Sequence, residues 1–169
     1  MDTAWLIRKA TGADAALINR MAQEVFPATY SSILSPEQLD YMMQWMYSPA
    51  NILDQMARGH HYFLAFEGEK ALSAGYVSFN REDADLYHLQ KIYALPAYQG
   101  RGLGRLLFET VVSAIRDEHP EPFTMELNVN RNNPAVNFYL HLGMHIARSG
   151  DFPIENGFFM NDYIMAKDL

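Results

Sequence analysis

Glycines stand at alternate positions in the run Gln99-Gly-Arg-Gly-Leu-Gly-Arg105. The residues ahead of it, through Ala94, have the texture of a strand that Pro96 closes, and those after it have the apolar spacing of an amphipathic helix. Glycine lets the main chain adopt positive φ and lets a ligand approach closely. A helix start offers unpaired N–H groups and the positive end of the helix dipole. With Arg101 and Arg105 added, these features make an anion site, most naturally for phosphate. Two familiar phosphate readers do not fit. A P-loop needs Gly-Lys-Ser/Thr, which is absent. A dinucleotide fingerprint needs G-x-G-x-x-G on the first strand–helix turn, whereas this pattern is G-x-G-x-G, lies mid-chain and follows several strands. A bare tight turn between strand and helix is the plain alternative.

A second block with chemical potential is Leu127-Asn-Val-Asn-Arg-Asn-Asn-Pro-Ala-Val-Asn-Phe-Tyr-Leu-His-Leu-Gly-Met144. The first run, with Gln99, Gly102 and Gly104, resembles the acyl-CoA loop of the GNAT superfamily of N-acetyltransferases, Gln/Arg-x-x-Gly-x-Gly/Ala after a strand. In the second, Asn132, Ala135, Phe138, Tyr139 and Gly143 resemble the same family's Asn-x-x-Ala-x-x-aromatic-Tyr-x-x-x-Gly block, with Met144 where Phe is usual. The order and separation of the blocks agree with the family, so the resemblance spans nearly the whole chain.

The resemblance implies an acetyl-CoA-dependent N-acetyltransferase that moves acetyl directly to a primary amine. It implies that the main chain of Ile92, Tyr93 and Ala94 pairs with the pantetheine amides. The loop Gln99, Gly100, Arg101, Gly102, Leu103, Gly104 and Arg105 would hold the pyrophosphate. Asn132 would bind the pantetheine arm, with Asn137 in the same cofactor-binding set, and Tyr139 would be the general acid on the leaving thiolate. Asn132 and Tyr139 are nearly two helical turns apart and are expected on one side. The plain alternative is that Asn132 or Asn133, the latter directly before Pro134, simply caps the helix.

A primary amine must lose its proton before it attacks, at a cost of roughly 4–5 kcal/mol at pH 7. A base is therefore expected. Many family members carry Glu just before the position of Leu89; this chain has His88, a chemically suitable substitute and a departure from the pattern. A hydrogen-bonded structural histidine is the alternative for His88, and a non-catalytic acyl-CoA binding or sensor domain is the alternative for the whole protein.

The elements that must position these residues follow from periodicity. Strands are expected at 4–9, 61–67, 70–79, 86–94, 123–129, 144–149 and 158–166, with a turn at Gly68-Glu69 and an acidic loop at Arg81–Asp85. Helices are expected at 13–26, ended by Pro27, at 35–47 with a Ser35-Pro36 start, near 50–58, at 101–117 and at 134–142. This order describes a mixed α/β (α+β) fold. By the resemblance it is a single acyl-CoA N-acyltransferase domain over 1–169. Its sheet is mostly antiparallel, with a splayed parallel strand pair flanked by helices.

Composition bounds the rest. The chain has 169 residues and a formal net charge of −7, with 49% hydrophobic and 20% charged residues, as in an ordinary soluble globule. The absence of cysteine excludes a disulfide framework and a cysteine acyl-enzyme. No signal peptide or membrane span is read, so the expectations are a cytoplasmic protein, monomer or homodimer, with no membrane, nucleic-acid or metal partner. Lys91, Arg101 and Arg105 form a positive island where a polyanionic cofactor should dock. Residues 1–85 carry 11 acids against 6 bases, which favours a cationic amine acceptor. Glu82, Asp83, Asp85, Asp151, Glu155 and Asp162 are the carboxylates considered near the cleft. Phe26 and Tyr30 are candidate acceptor contacts, and the Tyr41, Met42, Trp45, Met46 stripe is either core packing or a substrate wall. The Phe26–Tyr30 segment, the strand ending Gln-Lys-Ile-Tyr93 and the terminal Ile-Met-Ala-Lys-x-Leu169 look similar to a bacterial polyamine acetyltransferase branch.

Overall fold

Alternating apolar positions in the middle of the chain build an extended meander, and the 3.6-residue stripes on either side of it build the helices that cover it. A computed structural model describes residues 5–68 and 72–169. The strands are β1 (Trp5–Lys9), β2 (His61–Glu67), β3 (Leu72–Asp83), β4 (Leu86–Ala94), β5 (Thr124–Asn130), β6 (His145–Pro153) and β7 (Phe159–Asp168). The helices are α1 (Ala15–Tyr30), α2 (Pro36–Tyr47), α3 (Pro49–Ala57), α4 (Leu103–Glu118) and α5 (Ala135–His141). Ala4 of the first expected strand, Glu69 of the expected turn, and Lys70 and Ala71 at the start of the next strand lie outside the described residues.

One seven-stranded sheet runs in the order β1-β2-β3-β4-β5-β7-β6. Every neighbouring pair is antiparallel except β4 and β5, which run parallel. Helix α4 makes the crossover between them, as a parallel pair requires. On one face, α4 buries Leu107, Val111 and Ile115 against Val77, Leu89, Met125 and Leu127, and Tyr139 of α5 joins that core. On the other face, Ile18, Met21 and Val25 of α1 and Ile52 of α3 pack on Tyr62, Leu64 and Tyr76. Among the described residues, no helix is long and apolar enough to cross a membrane.

Ser35 and Ser48 cap α2 and α3 by accepting from the main-chain N–H of Gln38 and Asn51, each followed by proline at the first helical position. Several boundaries differ from the expected ones, among them β6, expected over 144–149 and observed over His145–Pro153. Pro27 does not end α1, which continues to Tyr30. Proline removes one helical donor, but the last turn is held by burial: Phe26 packs on Tyr30 and Tyr47, and Asn133 donates to the Tyr30 hydroxyl at 3.0 Å. Strand β3 runs through the expected acidic loop to Asp83, because Arg81 satisfies the tight turn by donating to the Asp83 and Ala84 carbonyls. Helix α4 starts at Leu103, since Gly102 has φ 81° and cannot be helical. Strand β6 tolerates Pro153 because it is the sheet edge.

Candidate active site

The parallel ladder between β4 and β5 is short. It pairs Leu86 with Thr124, Tyr87 with Met125 and His88 with Glu126, and then stops. Beyond it, β4 continues to Ala94 paired only with β3, and β5 continues to Asn130 paired only with β7. The strands therefore splay, and residues 89–94 present main-chain donors and acceptors along one free edge. At the mouth of the splay stands the glycine loop. Gly100 and Gly102 have φ of 77° and 81°, and no other atom lies within 4 Å of where a Cβ would be, so the main chain here is bare. The first N–H groups of α4, at Leu103, Gly104 and Arg105, have no preceding helical carbonyl. Gly104 has a different reason to be glycine: a Cβ there would come within 2.9 Å of the Phe138 ring, so it lets α5 pack against the start of α4. Gln99 folds back and donates from Nε2 to the Ala94 carbonyl at 3.1 Å, which fixes the loop on the strand.

The positive island is broken up by the fold. Arg101 lies 3.3 Å from Glu67 and stacks over Trp5 and Tyr98. Lys91 does not face the loop at all. Ser78 pairs with Lys91 and Phe79 with Leu89, so Gln90 is an extra residue, a β-bulge. The bulge turns Gln90 and Lys91 together to the face that carries α1, α2 and α3, while Leu89 and Ile92 stay on the α4 face. Arg105, exposed on the first turn of α4, is the part of the island that keeps the expected position.

On the α1–α3 face the splay opens into a cavity of about 410 Å³. Strands β4, β5 and β7 supply its polar floor, with His88, Gln90, Lys91, Asn128, Asn130 and Asp162. Phe26 and Tyr30 line it, and so do Met42, Trp45 and Met46 of the α2 stripe. Tyr41 of that stripe turns outward to Phe158 and donates to Glu155 at 3.3 Å, and Gln38 donates to the Phe159 carbonyl at 2.8 Å, so α2 clasps the β6–β7 hairpin over the cavity. Of the six carboxylates considered, Glu82 and Asp162 reach the cavity. Asp85 pairs with His119, Asp151 with Arg131, and Glu155 with Tyr41.

The titratable groups of the cavity are strongly perturbed. Burial, then the Lys91 ammonium, push His88 down to about 4, so its imidazole is neutral at pH 7. Its Nδ1 lies 3.3 Å from Glu82 Oε1. Burial alone brings Lys91 down to about 8. Burial raises Asp162, against the lowering effect of the Asn128 hydrogen bond and of Arg131. Tyr93 points into this face and its hydroxyl bonds that of Tyr47, so the side chain of Tyr93 belongs to the cavity and not to the free strand edge.

Tyr139 is buried on α5, and burial, then neighbouring Tyr30, raise its hydroxyl well above the ordinary phenol value. Asn132 lies in the turn before α5, not on it, so helical spacing does not relate it to Tyr139. Its N–H donates to Asn130 Oδ1 at 2.9 Å and its side chain is exposed. Asn133 is the cap: its Oδ1 accepts from the Ala135 N–H at 2.9 Å. Asn137 is exposed on α5, where its carbonyl lies 2.7 Å from His141 Nδ1. The terminal Lys167 donates to the Leu142 carbonyl at 2.7 Å and Leu169 pairs with Phe123, so this end closes the sheet and does not reach the cavity.

Sequence reasoning missed Lys91 as a cavity group, and Tyr47, Gln90 and Asn128 with it. A signal was present: the α4-face residues Leu89 and Ile92 are three apart, where an unbroken strand would space them by two.

The family model for the acetyltransferase (GNAT) family matches residues 19–144. The chain belongs to the GNAT acetyltransferase family. Curated relatives of this GNAT protein include an uncharacterised N-acetyltransferase of Mycobacterium tuberculosis and one of Mycobacterium bovis. Each is 24% identical over 156 residues, covering 92% of this chain and 98% of the relative. Among solved structures, the PaiA N-acetyltransferase of Thermoplasma acidophilum in complex with coenzyme A superposes with a TM-score of 0.76 at 20% identity, covering 98% of this chain and 99% of that one. A GCN5-related N-acetyltransferase of Rhodopseudomonas palustris gives 0.78 at 18% identity, covering 100% and 97%. The GNAT fold expected from the sequence, with its mostly antiparallel sheet and splayed parallel pair, is the fold observed.

Proposed function

We propose that this GNAT enzyme transfers acetyl from acetyl-CoA directly to the primary amine of a small molecule held in the cavity of α1–α3. The observation that carries this reading is the splay of β4 from β5 beyond His88, open to the glycine loop on one side and to a walled cavity on the other. The residues present fit acetyl-CoA. The loop N–H groups from Gly100 to Arg105 suit a pyrophosphate, and the free β4 edge around Ile92–Ala94 suits the amides of pantetheine. Acetyl-CoA supplies the acyl group as a thioester, which a neutral amine displaces with release of the thiol.

His88 is the proposed base. Its neutral imidazole can accept the proton that the amine nitrogen loses as it bonds to the acyl carbon, with Glu82 positioned to share that charge. Tyr139 is the proposed acid: it stays protonated across the working pH range and gives its proton to the sulfur as the C–S bond breaks. Asn132 and Asn137, both exposed beside the splay, are the proposed polar contacts of the cofactor arm. A polyamine or other cationic acceptor draws no support from the cavity, where Arg58 and Lys91 stand with Glu82 and Asp162. A requirement for acetyl-CoA accords with a cytoplasmic setting.

The test is thiol release from acetyl-CoA across a panel of amines, including amino acids, simple alkylamines, aminoglycosides and spermidine. Release with one class of amine supports the reading. Binding of acetyl-CoA with no release above background for any amine would favour an acyl-CoA sensor instead.

A further inference from the structure

Two ionisable side chains of opposite charge type, Lys91 and Asp162, are buried in the cavity, and no ion pair joins them. Lys91 on β4 is 8% exposed and Asp162 on β7 is 3% exposed. Asp162 accepts from Asn128 at 3.3 Å and lies near Tyr30, whose hydroxyl it perturbs. Among the described residues, no carboxylate pairs with Lys91. Its ammonium sits 5.2 Å from the centre of the Tyr47 ring, and the nearby wall carboxylate, Glu82, is engaged with His88. Burial, then Lys91 and Arg58, lower His60, so the two cations lining the cavity lie near each other, while Asp162 lies near Tyr30.

An unpaired buried ammonium is costly to keep, and the fold does not need it. The residues beside it in the same row of the sheet, Ser78 and Tyr62, are neutral. An unbranched apolar side chain would fill the same space. Burial already lowers Lys91 to about 8, the direction expected of a cation awaiting a counter-ion. The cation is also not cofactor machinery, since the bulge at Gln90 turns it away from the glycine loop.

We infer that the acceptor is an amine that also carries a carboxylate, and that the Lys91 ammonium binds this carboxylate. The apolar wall of Met42, Trp45 and Met46 suits an apolar side chain. The acceptor class is an amino acid rather than a polyamine. This inference rests on reading the cavity as the acceptor site of an acetyltransferase.

The experiment compares kcat/KM for matched pairs that differ only in the carboxylate: L-methionine and 3-(methylthio)propylamine, L-leucine and 3-methylbutylamine, L-lysine and cadaverine, with spermidine as a polyamine. The wild-type protein is expected to prefer the acid of at least one pair by about 10-fold or more. Lys91→Met is expected to reduce that preference by at least about 10-fold, chiefly through KM of the acid, and Lys91→Arg to keep most of it. Equal or better turnover of the decarboxylated amines or spermidine overturns the inference. So does a Lys91→Met protein that loses both members of a pair equally. Should Lys91→Met fail to fold, the wild-type preferences and the Lys91→Arg protein still decide. Absence of turnover with every amine, with acetyl-CoA still bound, overturns the transferase reading and this inference together. Turnover without an acid preference overturns this inference alone.

Discussion

The two sides of the β4–β5 splay are built from different materials. The side facing the glycine loop is mostly main chain: the free edge of residues 89–94, Gly100 and Gly102 at positive φ, and the first N–H groups of α4. The side facing α1–α3 is mostly side chain, drawn from seven elements and carrying His88, Lys91, Glu82 and Asp162. A main-chain site recognises what acyl-CoA molecules share, their phosphates and amides, and depends on a few consecutive residues. A side-chain site recognises what distinguishes one amine from another, and it can change by single substitutions without disturbing the fold. That division lets one scaffold keep its cofactor and vary its acceptor.

The division can be broken from the main-chain side most forcefully. Gly102→Val places a β-branched residue at φ 81° and is expected to weaken acetyl-CoA binding by about 100-fold in calorimetry, since the loop must reshape. A change under about 3-fold would mean that the loop does not cradle the cofactor. Next in size, Tyr139→Phe is expected to lower kcat by about 10- to 100-fold while acetyl-CoA affinity stays within about 2-fold. The deficit should shrink with a thioester whose thiol has a low pKa and needs no acid, and a deficit independent of the leaving thiol would remove Tyr139 from the proton transfer.

On the side-chain face, His88→Gln is expected to lower kcat by about 10-fold or more. With His88 held near 4, its imidazole is already neutral above about pH 5. The pH–rate profile of the wild type should therefore rise with deprotonation of the amine and show no break near 6.5; a break there that disappears in His88→Gln would mean that the histidine titrates in the ordinary range. The smallest effect is expected outside both regions. Arg8 donates twice to Asp14 at 2.8 Å and holds that carboxyl down to about 2. A carboxyl depressed in the fold stabilises it above its unfolded pKa, near 4, and loses that contribution as pH falls towards 2. Asp14→Asn is expected to cost about 1 kcal/mol at pH 7, because Arg8 is half-exposed and the pair is screened, and to cost well under half of that by about pH 2, where the carboxyl is half protonated. Denaturant melts at both pH values read this out.

The same division explains what could be read in advance. The glycine loop and the Asn132–Met144 block are contiguous, and their physics is local: positive φ, a helix start, a capping asparagine. The strands and helices were legible for the same reason, apart from α1 past Phe26, β3 past Phe79 and β6 past Ser149; burial of Tyr30, the Arg81 turn and the pairing of β6 with β7 overrode the local signals there. The cavity was not legible as a whole. Phe26, Tyr30 and His88 were marked by position, but Lys91 was read as part of the cofactor's positive island, and the extra residue at Gln90 turns it to the cavity face instead.

By itself, then, the amino-acid sequence determined the order of elements, the glycine loop and the family, because each depends on neighbours within a few residues along the chain. Only the tertiary structure decided which charges line the cavity. Arg101 was drawn to Glu67, Asp85 to His119 and Asp151 to Arg131, which left Lys91 and Asp162 buried in the cavity. Such pairings join residues from distant parts of the chain, and their energies depend on burial and separation in space, which spacing along the sequence does not encode.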